Sequence, residues 1–463
     1  MKKKMTYDVN ETPPISRWIV LAIQHVFAMF GATILVPILV NTAAGEEVLT
    51  IPVALVTSGI GTLIYILCTK GKSPVYLGSS FAFIAPVAAA YLKGGLGGAM
   101  TGIMVVGLIY IVVATIIHFT GKDWLEKLLP PVVIGPMIMV IGLGLASSAI
   151  QNIGIAEGQV FEWKNAVVAL VSFLVTALVM TRAKGLWKVI PFLIGIISGY
   201  VLSAFLGLVD FKSVADAAWL SVPSFQFPFV HYNIEFGALI TIAPIALVTM
   251  CEHIGDHTSL SNIIGKDLIQ DPGLDRTLLG DGLATLVAGA MGGPANTTYG
   301  ENTAVVGITK VASVKVIGLA AIFAIILGFF GKFTALVQLI PAPVLGGVSI
   351  LLYGFIAVNG LKVLIKNQVN FDDNKNVAVA AAMLVIGLGG ATISIVNGDL
   401  DIAFSGMSLA AIVGIILNLI IPADKEALQN ELDWEIPEDT MTITDKVVKE
   451  IKKAAKKKTT KKK

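Results

Sequence analysis

Charged side chains are scarce in this chain. Asp, Glu, Lys and Arg make up 14% of its 463 residues, where a soluble domain carries about 25%. That excludes an ordinary water-soluble surface. Cysteine is nearly absent. Cys68 and Cys251 lie in or beside apolar runs, which fits two small core residues rather than a disulfide framework or a thiolate metal site. No GxxxxGK stretch occurs, so nothing points to ATP as an energy source. No metal-ligand cluster or nucleophile elbow occurs either, which argues against an enzyme. The apolar run that follows "ETPPIS" is too long for a signal-peptide core, and no small-x-small site comes after it. It reads as a first membrane span.

Apolar residues dominate instead, at 55% of the chain, with a mean hydropathy of +0.82. A span needs about 20 largely apolar residues. Twelve stretches qualify, at roughly 18–43, 49–69, 96–120, 129–150, 166–182, 187–209, 235–262, 278–292, 313–331, 334–363, 376–394 and 404–422. Two more, 76–92 and 296–309, are short and interrupted by Gly and polar residues. Counted as broken spans, they raise the total to 14. Basic residues test that count. With both ends on one side, the loops of that side hold fourteen Lys and Arg, from Lys70 to Lys375, and the others hold four: Lys93, Lys164, Lys212 and Lys332. This is a strong positive-inside bias, and it fails if either broken span is dropped. Both termini are therefore expected in the cytoplasm. The tail from Ala423 holds 11 of the 33 basic residues. It reads as a solvated segment, with one short helix around 443–455 and a Lys-rich end that is either a solubilising tail or a contact for anionic lipid.

Three short matches recur in the same order. Gln24-His25 matches Glu252-His253 at an offset of 228, "GSSFA" (78–82) matches "GENTA" (300–304) at 222, and "LPPVVIG" (129–135) matches "IPAPVLG" (340–346) at 211. They fall on spans 1 and 8, 3 and 10, and 5 and 12. The unit is seven spans. Seven is odd, so the second copy enters from the opposite side, as in secondary transporters whose binding sites lie where interrupted segments meet.

Two acids stand out within spans, Glu252 and Glu301. An intramembrane carboxylate is costly unless paired or protonated, so it is a candidate functional group; the bland alternative is a helix-core acid with a structural partner. Asp256 is four residues from Glu252, on the same helical face. Like charges there repel, which favours proton uptake. His253 and His257 flank this face, either as a proton relay or as part of a polar core. His25 and His118 read as structural. Gly300 has no side chain to shield its N–H, and a half-helix starting there would aim its N-terminus at a ligand carbonyl. "YLGSSFAF" offers the same around Phe81, with an apolar ring as a wall. Carboxylates that accept, amides that donate and flat faces suit a planar ring with alternating N–H and C=O groups, such as a pyrimidine or purine dione.

The motifs "QHVFAMFGATILVP", "PVYLGSSFAF", "EHIGD", "DPGLDR" and "GGPANTTYGENTAVV" resemble those of the nucleobase–ascorbate transporter family (nucleobase:cation symporters), and within it the bacterial uracil permeases. The likeness spans nearly all of 15–422. It implies an all-α polytopic membrane protein of 14 segments in two inverted seven-span repeats, with short strands in broken spans 3 and 10. It implies a cytoplasmic segment 1–17, a core domain of spans 1–4 (18–120) and 8–11 (235–331), a gate domain of spans 5–7 (121–234) and 12–14 (332–422), and a charged cytoplasmic tail, 423–463. Proton-coupled import by elevator-like motion, homodimers and a plasma-membrane location follow from the same likeness. By motif, Glu252 and Glu301 would accept from the pyrimidine N–H groups. The amides of Phe81 and Gly300 would donate to its carbonyls. Ala32, Tyr299 and Tyr353 would wall the site. Glu252, Asp256, His257 and Glu301 would carry the proton.

One position departs from the uracil-permease pattern. Asp256 stands four residues after the "EHIG" acid, where His is frequent; purine-transporting relatives often have Asp. A xanthine or other purine symporter is therefore the alternative, while Glu301 in "YGEN" favours uracil. A channel-like facilitator, an integral-membrane enzyme and a sulfate-type exchanger fit less well. The expected partners are uracil or a related nucleobase, protons, membrane lipid and a second copy of the chain, with no cofactor, metal or nucleic acid.

Overall fold

The computed structural model describes residues 5–235, 242–397, 400–404 and 406–422. It is mainly helical. Among the described residues, six helical stretches are long and apolar enough to cross a membrane. They contain α1 (Ile15–Ala44), α2 (Ile51–Cys68), α3 (Ile84–Thr120), the pair α5 (Pro131–Gly144) and α6 (Ala146–Ile153), α7 (Trp163–Arg182) and α15 (Ala342–Lys366). Shorter apolar helices are α8 (Pro191–Phe205), α13 (Val314–Gly328), α16 (Asn374–Leu388) and α17 (Gly406–Ile420). The remaining described helices are α4 (Asp123–Leu128), α9 (Lys212–Asp216), α10 (Ile245–Ile264), α11 (Leu274–Ala290), α12 (Gly300–Thr309) and α14 (Gly331–Gln338).

Local chemistry marks many of these ends. Proline occupies the first turn of α2, α5, α8 and α15, where a missing N–H costs nothing. α1 stops at Gly45, which turns left-handed (φ 76°) and returns its N–H to Asn41 O.

Both broken spans take the same form. β1 (Leu77–Ser79) leads through a turn of 3₁₀ helix (Phe81–Phe83) into the first part of α3. That helix is interrupted at Gly94 and Gly95, the latter with φ 58°, so residues 84–93 form a short helix before the full one. β2 (Asn296–Thr298) leads into the ten-residue α12, which ends before α13 begins. β1 and β2 pair antiparallel, with Leu77 opposite Thr298, Gly78 opposite Thr297 and Ser79 opposite Asn296. The strand starts Leu77 and Asn296 are 219 residues apart, and so are Phe81 and Gly300. The letter match at 222 is thus out of step with the backbone by three residues, almost one helical turn.

The helices gather into two packed sets. α11 lies between α2 and α3, and α2 packs on α13. The crossing of α3 and α11 is close: a Cβ on Gly107 would lie 2.6 Å from Gly282 O, and one on Gly282 would lie 2.7 Å from Tyr110 Cβ. In the other set α15 packs against α5, α6 and α7, and α16 against α5 and α17. α10 touches both sets, through α3 and α12 on one side and α5 and α17 on the other.

Three features depart from the sequence reading. The span expected at 376–394 ends at Leu388, and the chain then forms a hairpin of β3 (Ile393–Asn397) and β4 (Leu400–Phe404). Gly389 and Gly390 end the helix, and the β-branched run "TISIV" favours a strand. The span expected at 129–150 bends at Leu145, between α5 and α6. Residues 6–14, expected as a plain cytoplasmic segment, run against the loop after α12. Thr6 N–H donates to Lys310 O, Ala312 N–H to Tyr7 O and Val314 N–H to Val9 O, at 2.7, 2.9 and 3.0 Å. Lys266 closes this strap with 2.8 Å bonds to both oxygens of Asp8. The expected tail helix at 443–455 lies outside the described residues.

Candidate functional site

The β1–β2 pair brings two helix starts side by side. Tyr299 N–H donates to Tyr76 O at 3.1 Å and Ser80 N–H to Ala295 O at 2.9 Å, which extends the ladder by one bond at each end. Phe81 and Gly300 come directly after it. The first-turn N–H groups of a helix have no partner within that helix, and their aligned dipoles favour a negative or carbonyl group. Glu301 lies in the first turn of α12 and is partly exposed.

The carboxylates of α10 face β2. Thr298 Oγ1 donates to Asp256 Oδ2 at 2.6 Å, and Thr297 Oγ1 to Glu252 Oε2 at 3.4 Å. Asp256 Oδ1 lies 3.7 Å from where a Cβ on Gly300 would be. Asp256 is therefore held at the N-terminus of α12, where the helix dipole favours its charge. Glu252 feels the charges of Asp256, Glu301 and Asp281. The structure thus gathers Glu252, Asp256, Gly300 and Glu301 into one place: Gly300 and Glu301 open the helix that follows β2, and the two acids of α10 are bonded to β2 itself.

The flat residues divide. Phe81 is half-buried, and its ring meets Tyr353 of α15 edge-on, with centroids 6.2 Å apart and planes at 78°. This contact joins the two packed sets next to the helix starts. Tyr299 turns the other way. Its ring fills the space above Gly78, which leaves no room there for a Cβ. Its hydroxyl reaches Thr33 Oγ1 at 3.0 Å and donates to Ser79 O at 3.1 Å. Ala32 is buried in the same apolar cluster as Tyr299. Tyr299 thus braces β1 from behind.

Behind the carboxylates lies a polar network in which His253 and His257 meet Asp281, Tyr65 and Ser73, three partners that the sequence reading did not name. His253 Nδ1 pairs with Asp281 Oδ2 of α11 at 2.8 Å, and both side chains are fully buried. His257 stacks on His253 with centroids 4.1 Å apart. Its Nδ1 lies 2.7 Å from His253 O, so that nitrogen carries the hydrogen, and its Nε2 lies 2.5 Å from Tyr65 Oη. Tyr65 in turn reaches Ser73 Oγ at 2.8 Å. His257 therefore points away from Asp256, into α2. His25 is held by Asn302, whose Nδ2 lies 3.1 Å from both its Nδ1 and its carbonyl. His118, at the end of α3, pairs with Asp275 at 2.8 Å. Among the described residues no three His, Cys, Asp or Glu side chains are grouped so as to hold a metal ion.

A cleft of about 520 Å³ runs along α10 between Ile254 and Lys266, with Lys122 and Glu126 on its far wall.

Known proteins share this sequence and fold. The model of the Permease family (Xan_ur_permease) matches residues 16–396. The uracil permease of Bacillus subtilis (strain 168) is 47% identical over 431 residues, covering 92% of this chain and 97% of its own. The uracil permease of Escherichia coli (strain K12) is 43% identical over 416 residues, covering 89% and 93%. Two solved structures share the fold. The transmembrane domain of the cyanobacterial bicarbonate transporter BicA superposes with a TM-score of 0.56 at 15% identity, covering 86% of this chain and 97% of that one. Murine Slc26a9, an anion transporter in the inward-facing state, gives 0.64 at 12%, covering 89% and 69%.

Proposed function

The chain belongs to the permease family, and on that premise we propose that it is a uracil permease, a secondary transporter that carries uracil across the cell membrane together with protons. The observation that supports this most is the meeting of Glu252 and Glu301 beside the helix starts at Phe81 and Gly300. Uracil is planar and alternates ring N–H with C=O. The two carboxylates accept from its N–H groups, the amides of Phe81 and Gly300 donate to its carbonyls, and Phe81 and Tyr353 cover its faces. Charge-assisted bonds of this kind are the strong ones. Glu252, Asp256 and Glu301 repel one another when all are ionised, so a proton taken up by the cluster accompanies the substrate. Tyr299 shapes the site by bracing β1, Ala32 lies in the apolar cluster that holds it, and His257 anchors α10 to α2.

The fold follows an inverted plan of 14 crossings, with strand-and-half-helix units at spans 3 and 10. The matching β1–α3 and β2–α12 units support it. The two packed sets of helices are the core domain (18–120 and 235–331) and the gate domain (121–234 and 332–422). The core slides against the gate as an elevator. Both termini are cytoplasmic, and two copies of the chain assemble as a dimer.

The second reading is a xanthine or other purine symporter. Asp256 favours it, because it stands on Thr298 and Gly300, at the substrate-facing end of α12. Uptake of radiolabelled uracil and xanthine into vesicles, with and without an inward proton gradient, separates the readings. Gradient-driven uracil uptake is expected. Uptake that ignores the gradient sinks proton coupling, and xanthine uptake without competition from uracil sinks the substrate assignment.

A further inference from the structure

The segment from Ala217 to Ile234 contains no Asp, Glu, Lys or Arg. Loops that run through water carry polar turn residues at their tips. Here Trp219, Leu220, Val222, Phe229 and Val230 are 69–80% exposed. The loop is nonetheless firmly held. Ser221 N–H donates to Phe329 O at 2.9 Å, Gly331 N–H to Trp219 O at 3.1 Å and Gln226 N–H to Met291 O at 3.1 Å. Tyr232 donates its hydroxyl to Gly289 O at 3.1 Å. Lys332 sits 5.4 Å from the centre of the Trp219 ring and donates to the carbonyls of Val214 and Ala215 at 3.0 Å. Phe229 adopts φ 63°, a left-handed conformation that bulky residues avoid. It is kept there by its own N–H bond to Tyr232 O at 2.7 Å and by the bond from Phe227 N–H to His231 Nδ1 at 3.0 Å. The backbone is thus fixed so as to present Phe229 and Val230 outward.

The neighbouring helix shows where this loop lies. α13 buries Ala320, Ala321, Ala324 and Gly328, and exposes Ile322, Ile326 and, just past its end, Phe330. That exposed stripe has four-residue spacing and faces away from the packed core. α13 has 15 residues and rises about 22 Å, which falls short of the ~30 Å hydrocarbon thickness. Leu220 forms an antiparallel bridge with Phe330, so Trp219, Leu220 and Val222 continue the stripe where the helix stops. The other end of α13 meets the strap of residues 6–14. The loop therefore lies at the opposite membrane face.

We propose that residues 217–232 are a membrane-interface element: Trp219, Leu220 and Val222 complete the apolar thickness beside α13, and the Phe229–Val230 tip inserts at the boundary of acyl chains and headgroups in that leaflet. Lipid is the occupant because the patch is continuous with the outward stripe of a short membrane helix. Its composition, apolar and aromatic side chains interspersed with Ser221, Ser224, Gln226 and His231, is that of a segment with one side in hydrocarbon and one in headgroups.

Spin labels test this on protein reconstituted in phosphatidylcholine vesicles. Cys68 and Cys251 are replaced by Ala, and a single label is placed by Val222→Cys, Val230→Cys or, as a control, Asp210→Cys. Collision rates are read with oxygen, which enters lipid, and with a water-soluble nickel chelate. At 222 and 230 the oxygen-to-chelate ratio is expected to exceed that at 210, and to place both labels below the phosphates. A ratio at 230 equal to that at 210 overturns the proposal by putting the tip in water. Exclusion of both reagents overturns it by putting a protein, such as a second copy, over the patch. The substituted side chains are exposed and make no buried contact, and the readout does not depend on which solute is carried.

Discussion

Glu301 is the residue whose removal says most about the site. It begins a ten-residue helix beside Asp256 and has no ion-pair partner among the described residues. Glu301→Gln keeps the shape and an accepting oxygen but removes the charge. A charged acceptor contributes about 1–2 kcal/mol more than a neutral one, so the Kd for uracil should rise roughly five- to thirtyfold, as measured by equilibrium binding to purified protein. Unchanged affinity would remove Glu301 from the site. Asp281 makes a different case. It is a buried carboxylate whose partner is the equally buried His253, so its loss leaves a donor stranded. Asp281→Leu should lower stability by about 1–3 kcal/mol and Asp281→Asn by less, read as unfolding midpoints in detergent. The rule that singled out Glu252, an acid within an apolar run, applies equally to "LLGDGLATL". Asp281 was passed over although it lies inside the expected span 278–292. The direction of His257 had no signal at all, since helical spacing places it beside Asp256 and only the packing of α2 shows Tyr65 as its partner.

At the scale of elements, the two strand-and-half-helix units were legible because their polar interruptions fell where the charge count required a crossing. Their register was not. Letters matched at an offset of 222 while strands and helix starts match at 219, because Gly and Ala recur too often in membrane helices to fix a three-residue step. The β3–β4 hairpin was missed because an apolar strand and the end of an apolar helix have the same composition. The strap of residues 6–14 was invisible for another reason: its partners are backbone groups 300 residues away. Its strength is pH-dependent. The hydrogen bonds from Lys266 hold the Asp8 carboxyl below its usual range. A carboxylate with a depressed folded pKa stabilises the folded form above its unfolded value and loses that contribution as pH falls through the folded one. The strap should therefore loosen as pH drops below about 4. Protection of the amides of Ala312 and Val314 against hydrogen exchange, taken relative to the intrinsic rate at each pH, should fall there, and Lys266→Ala should lower it at neutral pH. Protection that stays constant down to pH 3 would show that the backbone bonds hold the strap without the ion pair.

At the scale of the whole molecule, the proposed elevator requires the two packed sets to slide past each other, and α10 touches both of them beside the candidate site. Ile138 of α5 comes within 4.0 Å of the position of a Cβ on Gly255 of α10, one residue from Asp256. A rigid-body displacement of the core cannot preserve that contact, whereas a local opening of α12 alone can. A short bifunctional thiol reagent joining Ile138→Cys to Gly255→Cys, on protein with Cys68 and Cys251 replaced by Ala, should therefore stop uracil uptake into vesicles. Each single-cysteine protein treated with the same reagent controls for the bulk it adds near the site, and cleavage of the link should restore uptake to the level of the untreated double variant. If the linked protein transports at its unlinked rate, the two sets do not move as bodies. The carboxylates of α10 would then stay fixed against α5 throughout the cycle, and access would have to alternate by movement of the half-helices on the β1–β2 pair.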